Sequence, residues 1–367
     1  FLANDLTGSA RLVQLTGVAL WAPLLLGGII GGVVSDRFDR RRTVVRQFMV
    51  VVPVTLILGG LAALGRLDLW LFCPFRVLVG VSWVIDMTSR RALIYDLVGA
   101  ERIDHAMSLE MLSSASGLAA GALLGGAVIE ALGIAAAFVT VASMFAGALV
   151  LFLLVPRPPR PAPADVPASS ADVLGGFGML KSERMLLSVL GVTAAVNLFF
   201  FSFSPLIQVV GAELEVGPSL LGLLAAMLGL GMMTGAFLML KLRPVERGKA
   251  YVLGSLMAFA FALGFVATNS YVITAGALFL AAIGMGFFGA TQGVLTMAAV
   301  GDTRRGRALG LLSMAIGVLP IGMISLGELA EVLGARLAIA IFVTTGALLC
   351  VLWVWRRPEV LDMRTTD

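Results

Sequence analysis

The sequence predicts an all-α integral membrane protein built as two six-helix halves, and three observations carry that prediction. Hydrophobic residues make up 59% of the 367-residue chain and charged ones 13%, with a mean hydropathy of +1.01; soluble domains carry about a quarter charged residues. The apolar residues fall in unbroken runs near the ~20 needed to cross ~30 Å of hydrocarbon as a helix, not in the short alternating segments of a barrel. A proline-rich stretch then divides these runs into two sets of similar size.

Residues 1–11, FLANDLTGSAR, read as the last turn of a spanning helix followed by a polar turn, with Asn4, Asp5 and Gly8 supplying the turn chemistry. Counting that stub as helix 1, with most of it expected outside this chain, helices 2 to 6 are predicted at about 12–34, 44–65, 69–89, 105–131 and 134–155. Helices 7 to 12 follow at about 186–210, 218–241, 250–268, 271–298, 307–333 and 336–356. The linker PRPPRPAPADVPASSAD cannot be helical, because proline lacks the N–H and fixes φ. The organisation is therefore an N-terminal bundle 1–155, a linker 156–185 whose last residues read as a short amphipathic segment on the membrane surface or as an ordinary helix start, a C-terminal bundle 186–356 and a tail 357–367.

Sidedness follows from the 26 basic residues, because cytoplasmic loops of helical membrane proteins retain lysine and arginine. In this count 22 fall on one side, from Arg37 and Arg40–Arg42 through Arg90, Arg91, Arg102, the linker and Lys241–Lys249 to Arg356 and Arg357; Arg11, Arg66 and Arg336 fall on the other, and Arg76 lies within helix 4. That places the linker and the C-terminus in the cytoplasm. An internal repeat agrees with two related halves. A shift of 201 aligns Gly121, Gly126, Glu130 and Gly133 with Gly322, Gly327, Glu331 and Gly334, and a shift of 203 aligns Gly28, Gly32, Arg40 and Arg46 with Gly231, Gly235, Arg243 and Lys249.

The polar residues narrow the function. Cys73 and Cys350 sit in separate apolar runs, offering neither a disulfide framework nor metal-ligand spacing, and His105 is the only histidine. An intramembrane enzyme would need clustered nucleophiles or ligands, so no enzyme, metal or cofactor is expected. The net charge of +4 gives no nucleic-acid reading, because a membrane protein's charges serve topology first. The partners expected are a small-molecule substrate, protons and the lipid bilayer, with the protein a monomer.

The stretch GGVVSDRFDRRRTV, with Gly32, Asp36, Arg37, Arg40 and Arg41, carries six charges between 36 and 42, with Arg46 just beyond. Its spacing resembles the loop motif between helices 2 and 3 of the major facilitator superfamily, G-x-x-x-D-R/K-x-G-R-R/K, with Asp39 where that family more often has glycine. LTGSA before helix 2, SRRALIYDLV after helix 4 and RGRALGLLSMAIGVLPIG into helix 11 extend the likeness to bacterial efflux proteins of the macrolide-efflux and enterobactin-exporter type. The resemblance implies a twelve-helix major facilitator fold and alternating access between two rocking halves. It further implies that Asp36 faces the start of helix 11 and that Arg40 pairs with an acid at the inner end of helix 4, for which Asp86 is the candidate. The alternative is that these charges only anchor the loop at the headgroups.

Three further signatures follow. FRVLVG, with Arg76 and Gly80, resembles the R-x-x-q-G motif linked with proton coupling, Val79 standing in the glutamine position; the alternative is that Arg76 reaches toward Asp68 and the headgroups. GLAAGALLGG repeats Gly117, Gly121, Gly125 and Gly126 where superfamily antiporters carry G-x-x-x-G-P-x-x-G-G, with Ala122 replacing the proline, so close helix packing is the expectation. Glu110 joins Arg76 as a proton-coupling candidate, whereas the repeat equivalence of Glu130 and Glu331 argues for a structural role at helix ends. A substrate cavity is implied between helices 1, 4, 7 and 10, with Asn197, Phe200, Phe287 and Gln292 as lining candidates. Aromatics with a few amides suit a hydrophobic or amphiphilic ligand. The function expected is proton-coupled efflux of such a molecule, with a proton-coupled importer and a truncated inactive member as the alternatives.

Overall fold

A computed structural model describes residues 2–37, 40–98, 103–155, 183–242, 245–301 and 304–363. The side chains of 24–37, 40, 87, 88, 91, 92, 95, 96, 103–105, 107, 108, 111, 115, 305 and 306 lie outside the described residues. Helices account for the architecture. They are α1 (Leu2–Thr7), α2 (Ala10–Arg37), α3 (Arg40–Ala63), α4 (Leu69–Val98), and a continuous element, Ile103–Leu154, that breaks at Gly133 into α5 and α6. The second half holds α7 (Arg184–Phe199), α8 (Pro218–Leu242), α9 (Arg247–Val266), α10 (Tyr271–Ala298), α11 (Arg305–Ile316 with Leu319–Leu333) and α12 (Ala335–Arg356). Among the described residues nine stretches are long and apolar enough to cross a membrane, and one of them, Leu112–Leu154, contains the Gly133 break.

Local chemistry sets the ends. In LTGSA, Gly8 takes φ +60° and donates to Asn4 O at 2.9 Å, and Ser9 then caps α2 by accepting the Leu12 N–H at 3.3 Å. Asp68 caps α4 in the same way, accepting the Leu71 N–H at 2.9 Å. Gly133 (φ +83°) and Gly334 (φ +82°) make the same left-handed turn between α5 and α6 and between α11 and α12, a conformation that costs a residue with a Cβ more than it costs glycine. These two glycines are one repeat apart, so the 201-residue periodicity is also a periodicity of backbone geometry.

Two predicted helices are broken where the sequence reading ran them through. Helix 7 stops at Phe199, continues as a 3-10 turn over Phe201–Leu206 and resumes at Ile207–Ala212. Pro205 is the cause, since it has no N–H to bond the carbonyl one turn back. Helix 11 is interrupted at 317–318, ahead of Pro320 in the first turn of its second part.

Among the described residues the C-terminal half has a dense interior: Phe200, Phe203, Leu206, Leu224, Tyr251, Phe259, Phe265 and Met285 are all at most 1% exposed. Within the N-terminal half α2 packs on α4 and α3 on α6, where Gly59 admits Phe138 and Phe48 meets Phe145 and Phe152. The halves join along two seams, α5 on α8 and α2 on α11. Both seams lie toward the end of the bundle that carries Ser9, Gly133, Gly217 and Gly334, termed here the far end; the opposite end, where α2 finishes and α7 begins, is the linker end.

Candidate gate and cavity site

The α5–α8 seam is close-packed because small residues face each other. A Cβ on Gly126 would stand 2.5 Å from Pro218 O and 2.9 Å from Gly222 Cα, and one on Gly222 would meet Ala122 O at 2.5 Å. Two turns further in, Gly229 faces Ala119. Gly117, Gly121 and Gly125, the other members of the predicted packing series, have no neighbour within 4 Å of a built Cβ. In the second seam, Gly17 of α2 lies against Pro205 and Met323, and Gly327 of α11 lies against Gln14 and Arg11.

Gln14 carries the one polar bond described into the broken part of helix 7. Its Nε2 donates to Ser202 O at 2.9 Å, and Gln14 is 1% exposed. The break explains the bond. In a 3-10 turn Ser202 O would accept from the residue three positions on, which is Pro205 and has no N–H, so a side chain of the opposite half satisfies that carbonyl. Sequence reasoning missed Gln14, Gly17 and Ser202; the available signal was Pro205 within an otherwise helical run.

At the linker end, the predicted loop motif is described only in part. The backbone of Gly32, Asp36 and Arg37 is helical, ending α2, and Arg40 opens α3, but their side chains lie outside the described residues, and with them the expected contacts of Asp36 to helix 11 and of Arg40 to Asp86. Arg41 is described: its guanidinium donates to Leu153 O at 2.7 Å and Val155 O at 3.1 Å, capping the last carbonyls of α6. Asp86 accepts from Arg90 at 2.9 Å, and Arg90 also pairs with Glu110 at 3.4 Å. The side chains of Asp86 and Glu110 are 16% and 7% exposed, so Arg90 binds two partly desolvated carboxylates and ties α4 to α5.

Arg76 and Gly80 point to the same neighbour. Four residues apart on α4, they share a face, and both meet α2: Arg76 Nε donates to Thr16 O at 3.3 Å, while Gly80 leaves room for Leu20 O and Pro23. Thr16 and Leu20 are themselves one turn apart. The R-x-x-x-G spacing is thus a contact register between two helices. Arg76 also lies 5.9 Å from the Phe72 ring centroid, and the Asp68 carboxylate that could have drawn it outward caps α4 instead.

The four cavity candidates separate into two kinds. Phe200 belongs to the core of the C-terminal half, 1% exposed, with its ring 4.9 Å from Phe203 and 6.1 Å from Phe259. Phe287 packs on α9 at Gly254. Asn197 donates to Thr193 O at 2.9 Å, and Gln292 of α10 donates to Thr193 Oγ1 at 3.4 Å. Thr193 in turn shares a 2.7 Å bond with the Tyr251 hydroxyl, which also donates to Val189 O at 3.1 Å while its ring stacks on Phe288. Half-buried Gln292 is therefore held by a polar chain through α7 to α9 that the sequence did not reveal.

The model of the Major Facilitator Superfamily matches residues 1–243 and 198–364. This chain belongs to that superfamily. Among curated proteins it is similar to the enterobactin exporter EntS of Shigella flexneri, 28% identical over 261 residues covering 69% of this chain and 58% of that protein. The EntS protein of Shigella boydii serotype 18 is 27% identical over 267 residues, covering 69% and 59%. The matched region thus spans less than two thirds of these relatives. Among solved structures, a bacterial homologue of the human lysosomal transporter Spinster, inward-facing and occupied, superposes with a TM-score of 0.76 at 15% identity over 100% of this chain and 93% of that one. A POT family transporter bound to a thioalcohol-conjugated peptide gives 0.75 at 12% over 96% and 89%. These likenesses show the fold: all-helical and multi-pass, as the superfamily match implies.

Proposed function

We propose that this superfamily member exports a hydrophobic or amphiphilic small molecule by alternating access, driven by protons moving inward. The observation that supports it best is the far-end seam of α5 on α8, built from facing glycines and alanines rather than from an interlocked core. Such surfaces can part and re-form as rigid bodies, as two-domain rocking requires. The basic linker end is assigned to the cytoplasm, so closure at the far end gives an inward-facing conformer. In this reading Asp36, Arg37, Arg40 and Arg41 belong to the inner gate around Gly32. Arg76 and the Asp86–Arg90–Glu110 cluster are the groups through which a proton acts. The direction of transport rests on the relatives named as exporters.

Half-buried Gln292 supplies an amide group to a site between the halves, which suits an apolar ligand with few polar groups. The test is accumulation of labelled amphiphiles, a siderophore included, in cells expressing the protein with and without a protonophore. Efflux predicts low accumulation that rises when the proton gradient collapses. Accumulation equal to that of empty cells under both conditions contradicts the proposal, and raised accumulation that needs the gradient identifies an importer.

A further inference from the structure

We infer that Glu130 and Glu331 are twin latches that hold the two far-end seams closed, each from one half of the protein onto the first turn of a helix in the other half. The inference rests on the alternating-access reading and adds the residues that set its conformational balance. In the first seam Glu130 Oε2, near the end of α5, accepts the backbone N–H of Ser219 at 2.7 Å, in the first turn of α8. In the second, Glu331 Oε2, near the end of α11, accepts from Ser9 Oγ at 2.8 Å and from the Arg11 N–H at 3.2 Å, at the start of α2. First-turn amides have no partner within their own helix and lie at its positive end, so a carboxylate is the side chain they favour.

Three observations make this a device rather than two unrelated surface contacts. Both bonds cross from one half to the other, in opposite directions: N-terminal half to C-terminal in one seam and the reverse in the other. Glu130 and Glu331 are one 201-residue repeat apart, and each follows by one turn the glycine of its own seam, Gly126 in GAVIE and Gly327 in GELAE. The glycine brings the backbones close, and the glutamate one turn later reaches the facing helix. The second latch has a reinforcing pair, Arg11 to Glu328 at 3.9 Å. Both glutamates are exposed, so water can replace their bonds when the seam opens, which makes the contact reversible. Because these bonds exist only in the conformer closed at the far end, losing them shifts the balance toward the conformer open there.

The test is a distance distribution between spin labels at Arg66→Cys and Asn269→Cys, exposed positions in the far-end loops of the two halves, with Cys73→Ser and Cys350→Ala, in the full-length protein in liposomes. The parent should show a short and a long population whose ratio changes with the exported amphiphile; a single population that no amphiphile moves contradicts alternating access itself. Given two populations, Glu130→Ala and Glu331→Ala should each raise the long one several-fold, the double variant more, and Glu→Gln at either site less, because the amide still accepts the bond without the charge. Ser219→Pro removes the same bond from the other side at a first-turn position where proline is tolerated, so it should match Glu130→Ala. An unchanged ratio in the double alanine variant, or a shift with Glu130→Ala that Ser219→Pro does not reproduce, overturns the latch.

Discussion

Adding one methyl group to the α5–α8 seam should tilt the transporter toward the conformer open at the far end. In Gly126→Ala the new Cβ falls 2.5 Å from Pro218 O and 2.9 Å from Gly222 Cα, with Gly222 N at 3.2 Å. Backbone atoms cannot rotate away as a side chain can, so the helices must separate by roughly 1 Å to reach ordinary contact. Overpacking of this kind costs ~1–3 kcal/mol. The higher helix propensity of alanine, worth ~1 kcal/mol, is present in both conformers and cancels from their ratio. Only the closed seam bears the cost, so the equilibrium should move by about 5- to 150-fold. The assay is the rate at which a membrane-impermeant thiol reagent modifies a cysteine at a cavity-facing position from each side of oriented vesicles. Far-side labelling should rise and linker-side labelling fall. Gly117→Ala, with nothing within 4 Å, is the control and should leave both rates unchanged. Unaltered labelling in Gly126→Ala, or an equal effect from Gly117→Ala, would refute the seam argument.

Three further perturbations test the site. Gln14→Leu leaves Ser202 O without its donor in the closed conformer at a cost of ~1–3 kcal/mol, so far-side cysteine labelling should rise, whereas Pro205→Ala/Gln14→Leu, which restores a backbone donor, should fall back toward the parent. Arg90→Met removes the cation paired with the partly buried carboxylate of Asp86 and also the ion pair to Glu110, and should destabilise the folded protein by ~3 kcal/mol, read as a lowered midpoint of thermal unfolding in detergent; Asp86→Asn in the same chain should recover part of it. Arg76→Lys keeps the charge but loses the Nε–H that bonds Thr16 O, and it should depress gradient-driven transport by about tenfold while the protein stays folded, which transport with and without an imposed pH gradient will show.

Much of the fold was legible in the sequence because a bilayer enforces it. Twenty-residue apolar runs and left-handed glycines at helix ends are local consequences of hydrocarbon thickness and backbone sterics, so the approximate positions of the runs and the Gly133–Gly334 equivalence could be read locally, although α4 runs on to Val98 where the sequence reading ended it at 89. Neighbours across the seams could not. Glu130 and Glu331 looked like solvated helix ends because periodicity reports which face a residue takes, not which helix it meets. The aromatic stripe of helix 7 misled for a related reason. Phe200 was counted toward the cavity, but the 3-10 turn that follows it brings Phe203 onto its ring, which sits among Phe203 and Phe259 in the core. Gln14 had no signal of its own, since its role exists only once proline has orphaned a carbonyl 188 positions away.

Cross-linking the seam tests the central claim most directly. Ala119→Cys/Gly229→Cys puts two thiols where Gly229 would carry a Cβ 3.0 Å from that of Ala119, near the ~3.8 Å of a disulfide, in a background without Cys73 and Cys350. Rocking of the halves predicts that the oxidised protein, reconstituted in vesicles with a pH gradient, stops moving the amphiphile found by the accumulation assay and recovers on reduction. Full transport by the cross-linked protein would contradict it.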